Sequence, residues 1–237
     1  YTPSTTSEAE ITLYAFCTSS NGYAISYTLN GGTSGTNAPT SATIDSVVTI
    51  SNPTKTVTVT GNANGTGATV GSATSGSQTF AGWTASNLNT STAYYGTSSS
   101  SVTTSWSNAS TKVTAQYFKN LASSGNTVTL TANWTAVSFN LPTVTNTGYT
   151  CTWNTSSNGS GTSYESGASY TPSTTSESSI TLYAVCTAIT YTVSYDANGG
   201  SGAPSSQTKT YGETLTLSST KPTRSGYTFL GWSTSST

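Results

Sequence analysis

The sequence predicts a mostly β fold built from small modules in tandem. Thr alternates with apolar residues in stretches such as TVTVT (Thr56–Thr60) and TVTLTANW (Thr127–Trp134), and this period of two is typical of half-buried strands. Asn-Gly pairs follow two such strands, and these residues tolerate the positive φ that a tight hairpin turn requires. Three phrases also recur along the chain, whereas no stretch shows the 3.6-residue apolar stripe of a helix.

The composition excludes several classes of function. The chain has 237 residues and a net charge of −1, and only 5% of its residues are charged, against about 25% in an ordinary globular protein. The six Lys and Arg residues are scattered, so the sequence offers no basic surface for nucleic acid. It also contains no run of about 18 apolar residues that could span a membrane. Because aromatic and β-branched residues are frequent, we expect folded modules and not disorder.

The three recurring phrases divide the chain into segments. The first phrase is a strand with its turn, YAISYTLNGG (Tyr23–Gly32) and YTVSYDANGG (Tyr191–Gly200). The second is an aromatic strand and occurs as TFAGWTAS, GYTCTWNTSS and GYTFLGWSTS; the third is a closing strand and occurs as ITLYAFCTS, VTLTANWTA and ITLYAVCTA. Their order predicts a closing strand of a preceding or neighbouring module in 1–20, a long module with an insert in 21–137, a short module in 138–188, and a module lacking its closing strand in 189–237.

Two of the three cysteines stand at equivalent places of the recurring phrases. Cys151 takes the position of Phe80 in the aromatic strand, and Cys186 takes the position of Trp134 in the closing strand. We therefore predict that one core contact is aromatic in the long module and a disulfide in the short module; the alternative is two reduced, buried cysteines. A disulfide over a loop of this length would stabilise the module by about 3–4 kcal/mol. It would also indicate an oxidising compartment.

Cys17 has no predicted partner within this sequence. It lies on a closing strand whose aromatic strand we expect in a preceding module, so its partner would be a cysteine there. The alternatives are an intermolecular bond and a free thiol. The last module carries Phe229 at the facing position and predicts an aromatic partner.

Candidate binding residues are few, and we predict no catalytic residue, no metal site and no cofactor. Trp83, Trp153 and Trp232 recur at equivalent positions, which is typical of core residues. Trp106 lies in the insert of the long module without a counterpart, and we predict that it is a surface residue that could contact a ligand. The loop after Asp196 is predicted to be a hairpin turn and not a calcium site, because its sequence lacks the further carboxylates of such a loop.

The last module resembles a known family. It combines the phrases YTVSYDANGG, YGETLTL and KPTRSGYTFLGW, and this combination is similar to the Listeria–Bacteroides repeat, the type represented by internalin B repeats. The long module resembles the same repeat with extra sequence, and the short module resembles its second half alone. The resemblance implies small β-grasp-like modules in a linear array on an extracellular bacterial surface protein, without catalytic residues.

The predicted function is therefore that of a structural or adhesive repeat region that acts as a stalk or fibre. Its partners would be neighbouring modules of the same long chain or other copies, without nucleic acid. One alternative is binding of a surface glycan or a host protein through the insert, residues 87–126. A second alternative is a subunit of a filament in which one copy donates a closing strand to the next; the mismatch between Cys17 and Phe229 argues against simple donation.

Overall fold

The computed structural model describes residues 21–175 and 178–236. The predicted closing strand in 1–20, with Cys17, lies outside the described residues. Every regular element within them is a β-strand, so the mostly β prediction is confirmed. The described part of the chain has no helix of the length and apolar character needed to cross a membrane.

Within the described residues, eighteen strands follow one another. They are β1 (Gly22–Thr28), β2 (Ser41–Thr43), β3 (Val48–Thr49), β4 (Lys55–Asn62), β5 (Thr69–Val70), β6 (Thr74–Ser86), β7 (Tyr94–Gly96), β8 (Thr104–Ser105), β9 (Tyr117–Lys119), β10 (Thr127–Thr135), β11 (Phe139–Asn140), β12 (Val144–Thr145), β13 (Tyr149–Asn154), β14 (Ser163–Glu165), β15 (Ser169–Tyr170), β16 (Ser179–Ala188), β17 (Thr190–Val193) and β18 (Gln207–Thr210).

The chain folds as two compact units. The first unit takes its described residues from 1–56, 77–136 and 173–178, and the second takes 57–76, 137–172 and 179–237. Strands β4 and β6 therefore have residues in both units. The stretch 57–76, which in sequence lies inside the long module, belongs to the same unit as the short module.

In the first unit, the first and last strands of the long module are parallel neighbours. One sheet has the hydrogen-bonded order β6-β10-β1-β2, and a second has the order β3-β9-β7-β8. Ala24–Thr28 of β1 run beside Thr127–Thr131 of β10, and β10 is antiparallel to β6. The alternation of β10 buries Val128, Leu130 and Ala132 completely, as the period of two predicts.

The second unit repeats this arrangement with a strand from elsewhere in the sequence. Its main sheet has the order β14-β13-β16-β4. Ser179–Tyr183 of the closing strand β16 run parallel to Thr58–Asn62 of β4, and β16 is antiparallel to β13. The end of β4 thus has the place beside β16 that β1 has beside β10. Three two-stranded ladders, β11-β15, β12-β5 and β17-β18, complete the unit.

The sequence of the short module explains why β4 is needed there. The module matches the repeat only from its aromatic strand onward, so it has no first strand of its own. Without β4, one edge of β16 would leave backbone N–H and C=O groups without ladder partners next to a buried core. Val59 on β4 is completely buried together with Leu182 and Trp153, so β4 also supplies apolar side chains to that core.

Both Asn-Gly phrases form the predicted turns. Asn30 and Gly31 have φ of 50° and 80°, and Asn198 and Gly199 have φ of 48° and 79°. The amide of Gly32 donates to the carbonyl of Leu29 at 3.0 Å, which closes the first turn. Positive φ at both central positions is the geometry that Asn-Gly tolerates and branched residues do not.

Tyr27 is a buried phenol whose ionisation should lower the stability of the first unit at alkaline pH. Its hydroxyl donates to the carbonyl of Pro39 at 2.8 Å. Burial, and then the nearby Tyr23, raise the pKa of Tyr27 from 10.0 to about 12. Because the unfolded phenol ionises first, this contribution to the free energy of unfolding is fully present below pH 10 and is lost as the pH rises to about 12.

We therefore expect Tyr27→Phe to flatten the loss of stability between pH 10 and about pH 12. The measurement is the urea midpoint as a function of pH, and Tyr191→Phe, on a tyrosine that is 50% exposed, is the control. The mutation also removes the hydrogen bond to Pro39, so the slope with pH and not the midpoint at neutral pH is decisive. Parallel pH profiles for Tyr27→Phe and the unaltered chain would contradict this assignment.

Candidate functional site

The feature that the repeats share is the surface on which a closing strand docks, here called the closing-strand interface. It consists of the edge of a first strand on one side and the edge of an aromatic strand on the other. In the first unit β10 lies between β1 and β6, and in the second unit β16 lies between β4 and β13. A strand docked in this way has both of its edges hydrogen-bonded.

A tryptophan lies at the centre of each closing-strand interface. Ala132 of β10 faces Trp83 of β6, and Ala184 of β16 faces Trp153 of β13. Both indoles are at most 1% exposed, so the structure places Trp83 and Trp153 in the core, as the sequence predicts. The small alanine side chain leaves room for the indole, and the leucine two residues earlier in each closing strand is completely buried.

A second facing pair differs between the units. In the first unit Phe80 faces Trp134, and their ring centroids are 5.8 Å apart. In the second unit Cys151 faces Cys186, and their sulfur atoms are joined at 2.05 Å. An aromatic contact in one repeat thus corresponds to a covalent bond in the other.

A cationic side chain donates to the backbone of each Asn-Gly turn, buried in the case of Lys55 and exposed in the case of Arg224, and sequence reasoning missed this role. Lys55 is 2% exposed, and its Nζ donates to the carbonyl of Asn30 at 2.7 Å and to that of Thr174 at 3.4 Å. A buried ammonium group requires such acceptors. In the last repeat Arg224 donates to the carbonyl of Asn198 at 2.9 Å. The sequence pattern that could have indicated this role is a basic residue after Pro-Thr, which occurs in both NPTK (Asn52–Lys55) and KPTR (Lys221–Arg224).

The structure corrects the predicted surface position of Trp106. This residue is 1% exposed, and its indole packs against Phe118, with ring centroids 5.9 Å apart, and against Tyr95 at 6.5 Å. The insert therefore contributes aromatic side chains to the core of the first unit. A buried indole cannot stack on a glycan in this conformation.

The remaining sequence candidates are accounted for by local structure. The carboxylate of Asp196 accepts a hydrogen bond from the amide of Asn198 at 2.8 Å, which makes it part of the hairpin turn. The described residues contain no group of three or more His, Cys, Asp or Glu side chains that could hold a metal ion. Cys17 lies outside the described residues.

The last repeat, residues 190–236, keeps the aromatic cluster of the first unit. Phe229 and Trp232 have ring centroids 5.1 Å apart, and the equivalent Phe80 and Trp83 are also 5.1 Å apart. Tyr195 lies 4.7 Å from Trp232, in the place of Tyr27. In this repeat, however, Trp232 is only partly buried, and no closing strand lies beside it among the described residues.

Gly61 allows β4 to approach Trp153. A Cβ atom at Gly61 would lie 2.3 Å from Cη2 of Trp153 and 2.6 Å from Cγ1 of Val70. We expect Gly61→Val to destabilise the second unit by about 1–3 kcal/mol, because the core would have to move to admit the side chain.

Thr60→Val is the matched control for Gly61→Val, since Thr60 is the preceding residue of β4 and is exposed. The measurement is hydrogen exchange of the amides of β13 and β16. Faster exchange for Gly61→Val alone is the expected result. Equal exchange in the two variants would show that Gly61 does not limit this packing.

Comparison with known proteins gives a family match. A family model described as the Listeria-Bacteroides repeat domain matches residues 114–185 and 191–237. The second match covers the last repeat, and the first runs from the insert of the long module to the closing strand of the short module. No curated protein and no solved structure matches the chain.

Proposed function

The chain belongs to the Listeria-Bacteroides repeat family, and from this premise we propose that it is a structural and adhesive repeat region of an extracellular bacterial surface protein, acting as a stalk or fibre. The family is a non-catalytic type of surface repeat, and we propose no enzymatic role and no cofactor. Its partners are neighbouring repeats of the same chain or of other copies. The architecture that we propose is a linear array of β-grasp-like modules.

The parallel pairing of the first and last strands of a repeat carries this proposal. β1 begins the long module and β10 ends it, and five residue pairs join them in parallel. A force applied to the two ends of the module pulls parallel neighbours in opposite directions along their length. All inter-strand hydrogen bonds then bear the load together, instead of breaking one after another. This geometry suits a protein that must remain folded under tension.

The disulfide supports the same role in the second unit. Cys151 and Cys186 are separated by 35 residues in sequence, and their bond prevents tension from extending the chain between them. A Ser- and Thr-rich chain with few charges is also compatible with an extracellular position, because hydroxyl groups can hydrate its sheets. A structural disulfide is typical of oxidising compartments.

Binding of a glycan or host protein through residues 87–126 is the weaker alternative. The candidate contact for such binding was Trp106, and this side chain is buried in the core of the first unit. The insert forms β7, β8 and β9 of the second sheet in the first unit, so a structural role accounts for its aromatic residues.

Single-molecule pulling tests the stalk function. With handles at Asn21 and Ala136 the long module is loaded in shear, and with handles at Asn21 and Asn126 the same strands are peeled from one end. We expect a several-fold higher unfolding force in the first geometry. Equal forces in the two geometries would overturn the proposal.

The same experiment on the whole chain reports on the disulfide. Because an extended residue spans at most about 3.3–3.6 Å, reduction should lengthen the fully unfolded chain by about 120 Å, given the separation of 35 residues. The variant Cys17→Ser is the control, since it leaves the disulfide intact and should show the same gain.

A further inference from the structure

A cleft with polar walls lies where the insert leaves and re-enters the sheet β6-β10-β1-β2 of the first unit. Residues 87–89 directly follow β6, and residues 123–126 directly precede β10. Because β6 and β10 are antiparallel neighbours with Ser86 opposite Thr129, the end of β6 and the start of β10 meet at the same end of the sheet. The cleft has a volume of about 520 Å³ and is lined by Asn87, Leu88, Asn89, Ser123, Asn126 and Thr127.

Hydrogen bonds join the two walls of this cleft and fix its shape. The amide of Asn89 donates to the carbonyl of Leu121 at 2.9 Å, and Nδ2 of Asn89 donates to Oγ of Ser123 at 3.0 Å. The wall that precedes β10 is also held by β1, because the amide of Ala24 donates to the carbonyl of Asn126 at 2.9 Å. The cleft is therefore formed before any ligand arrives, and binding does not have to order its walls.

The cleft presents polar groups that the fold itself does not use. Asn87 and Asn126 are exposed, and neither side-chain carboxamide has a hydrogen-bond partner among the described residues. The hydroxyl group of Thr127 likewise has none among them. By contrast, the carboxamides of Asn133 and Asn154 donate to backbone carbonyls and so stabilise the fold. The free groups of the cleft are available to a ligand.

The chemistry of the lining selects a neutral ligand that is rich in hydroxyl groups. A carboxamide offers an acceptor oxygen and two N–H donors, and a hydroxyl group both donates and accepts, so these side chains complement ligand groups that do the same. The described residues of the lining include no Lys, Arg, Asp or Glu, so a charged ligand would lose hydration without gaining a counter-ion. Leu88, which is partly buried against the core, adds an apolar surface for C–H groups.

We propose that this cleft binds a neutral glycan, and that Asn87, Asn126 and Thr127 form hydrogen bonds with its hydroxyl groups. Its volume of about 520 Å³ lies within the range of small-ligand sites in proteins. The inference rests on the adhesive part of the proposed function and gives it a ligand class. The contact residue predicted from the sequence, Trp106, is buried, and polar residues at the two ends of the same insert take over its role.

A polypeptide partner fits this cleft less well than a glycan. Peptides are commonly bound by adding a strand to a free sheet edge or by burying apolar anchors in a pocket. The strand beside the cleft, β10, is paired with β1 on one edge and with β6 on the other. Among the described residues that line the cleft, Leu88 alone has a large apolar side chain. The cleft therefore offers a peptide neither a strand edge nor an apolar pocket.

The test measures binding of the full chain to an array of neutral glycans. We expect binding to members of the array, and we expect the double variant Asn87→Gly, Asn126→Ala to bind them about tenfold more weakly, because it removes two hydrogen-bonding groups. Glycine tolerates the positive φ of 57° at position 87. Alanine at position 126 keeps the backbone carbonyl that accepts from Ala24. Both changes therefore remove side-chain groups and preserve the walls.

Asn140→Ala is the matched control. Asn140 is also an exposed asparagine whose side chain has no hydrogen-bond partner among the described residues, but it lies on β11 in the second unit. Its replacement should leave glycan binding unchanged. The proposal is overturned if no neutral glycan of the array is bound, if the double variant binds as well as the unaltered chain, or if the control weakens binding to the same extent.

A second measurement uses the unaltered chain, so that misfolding of a variant cannot decide the outcome. Titration with the array glycan that binds most strongly should shift the NMR signals of the side-chain NH₂ groups of Asn87 and Asn126, and it should leave the signal of Asn140 in place. Shifts confined to other residues would place binding outside the cleft and overturn the proposal.

A third measurement separates a glycan from a polypeptide as the ligand. A glycoprotein that carries neutral glycans should bind to the chain and should lose this binding after enzymatic removal of its glycans. Binding that survives their removal would assign the contact to the polypeptide and overturn the proposal. The pulling experiment is carried out without glycan and tests the stalk function alone, so either proposal can fail while the other stands.

Discussion

Replacing both Cys151 and Cys186 by alanine is expected to lower the free energy of unfolding of the second unit by about 4 kcal/mol, given a loop closed over 35 residues. The main reason is entropic, because the bond restricts the unfolded chain. The two cysteines face each other on β13 and β16, so the bond also joins the aromatic strand to the closing strand. A loss of this size is a large part of the stability of a small unit.

Urea denaturation followed by hydrogen exchange of β13 and β16 measures this loss. Cys17→Ser serves as the control for the removal of a thiol, and it should leave the second unit unchanged. The amides of β1 and β10 in the first unit provide an internal reference, because no disulfide occurs among the described residues of that unit. A loss below about 1 kcal/mol would show that packing around Trp153, and not the cross-link, holds the two strands together.

The facing cysteines and the core tryptophans were predictable because they rest on local pattern. Period-two alternation determines which side of a strand is buried, so recurring phrases could be superimposed residue by residue. That superposition placed Cys151 opposite Cys186, and it placed Trp83 and Trp153 in the core. The Asn-Gly turns followed in the same way, since positive φ is a local requirement of the chain.

The burial of Trp106 was not predictable from repetition. The burial of a repeated residue can be inferred from the equivalent residues of the other repeats. Trp106 has no equivalent residue, and this alone does not indicate whether its side chain is exposed. Its partners, Tyr95 and Phe118, lie within the same insert, in short strands whose pattern is too brief to reveal a sheet. An aromatic-rich insert of this length could have indicated that it adds buried side chains to the core of the module.

The placement of residues 57–76 in the second unit was also missed. The pairing of β4 with β16 joins segments that are far apart in sequence, and local propensity carries no information about such a partner. Two observations in the sequence were nevertheless complementary. The long module has additional sequence between Thr56 and Ser77, whereas the short module lacks the first strand of the repeat.

Excising this additional sequence should remove the fold of the second unit. Thr56 and Ser77 are close enough for their hydroxyl groups to hydrogen-bond at 3.2 Å, so an Asn-Gly dipeptide can replace Val57–Gly76 and join them. β16 would lose five parallel residue pairs, with hydrogen bonds worth about 1 kcal/mol each. The core would lose Val59, which is completely buried and contributes about 2 kcal/mol. The expected total, about 7 kcal/mol, equals the whole stability of many small domains.

We expect the excision to affect only the second unit, and the measurements are amide hydrogen exchange and reduction of the disulfide. The amides of β13 and β16 should lose protection, and the disulfide should become reducible by dilute thiol, because the strands that shield it would open. The amides of β1 and β10 should keep their protection, since both strands and the sheet β6-β10-β1-β2 remain.

A peptide with the sequence of residues 57–76, added to the excised chain, should restore the protection of β16. Full protection of β16 in the excised chain without the peptide would show that the short module folds without a borrowed strand. Restoration by the peptide would instead establish that a repeat of this family can be completed by a strand that is not its own, which is the physical requirement for strand donation between copies.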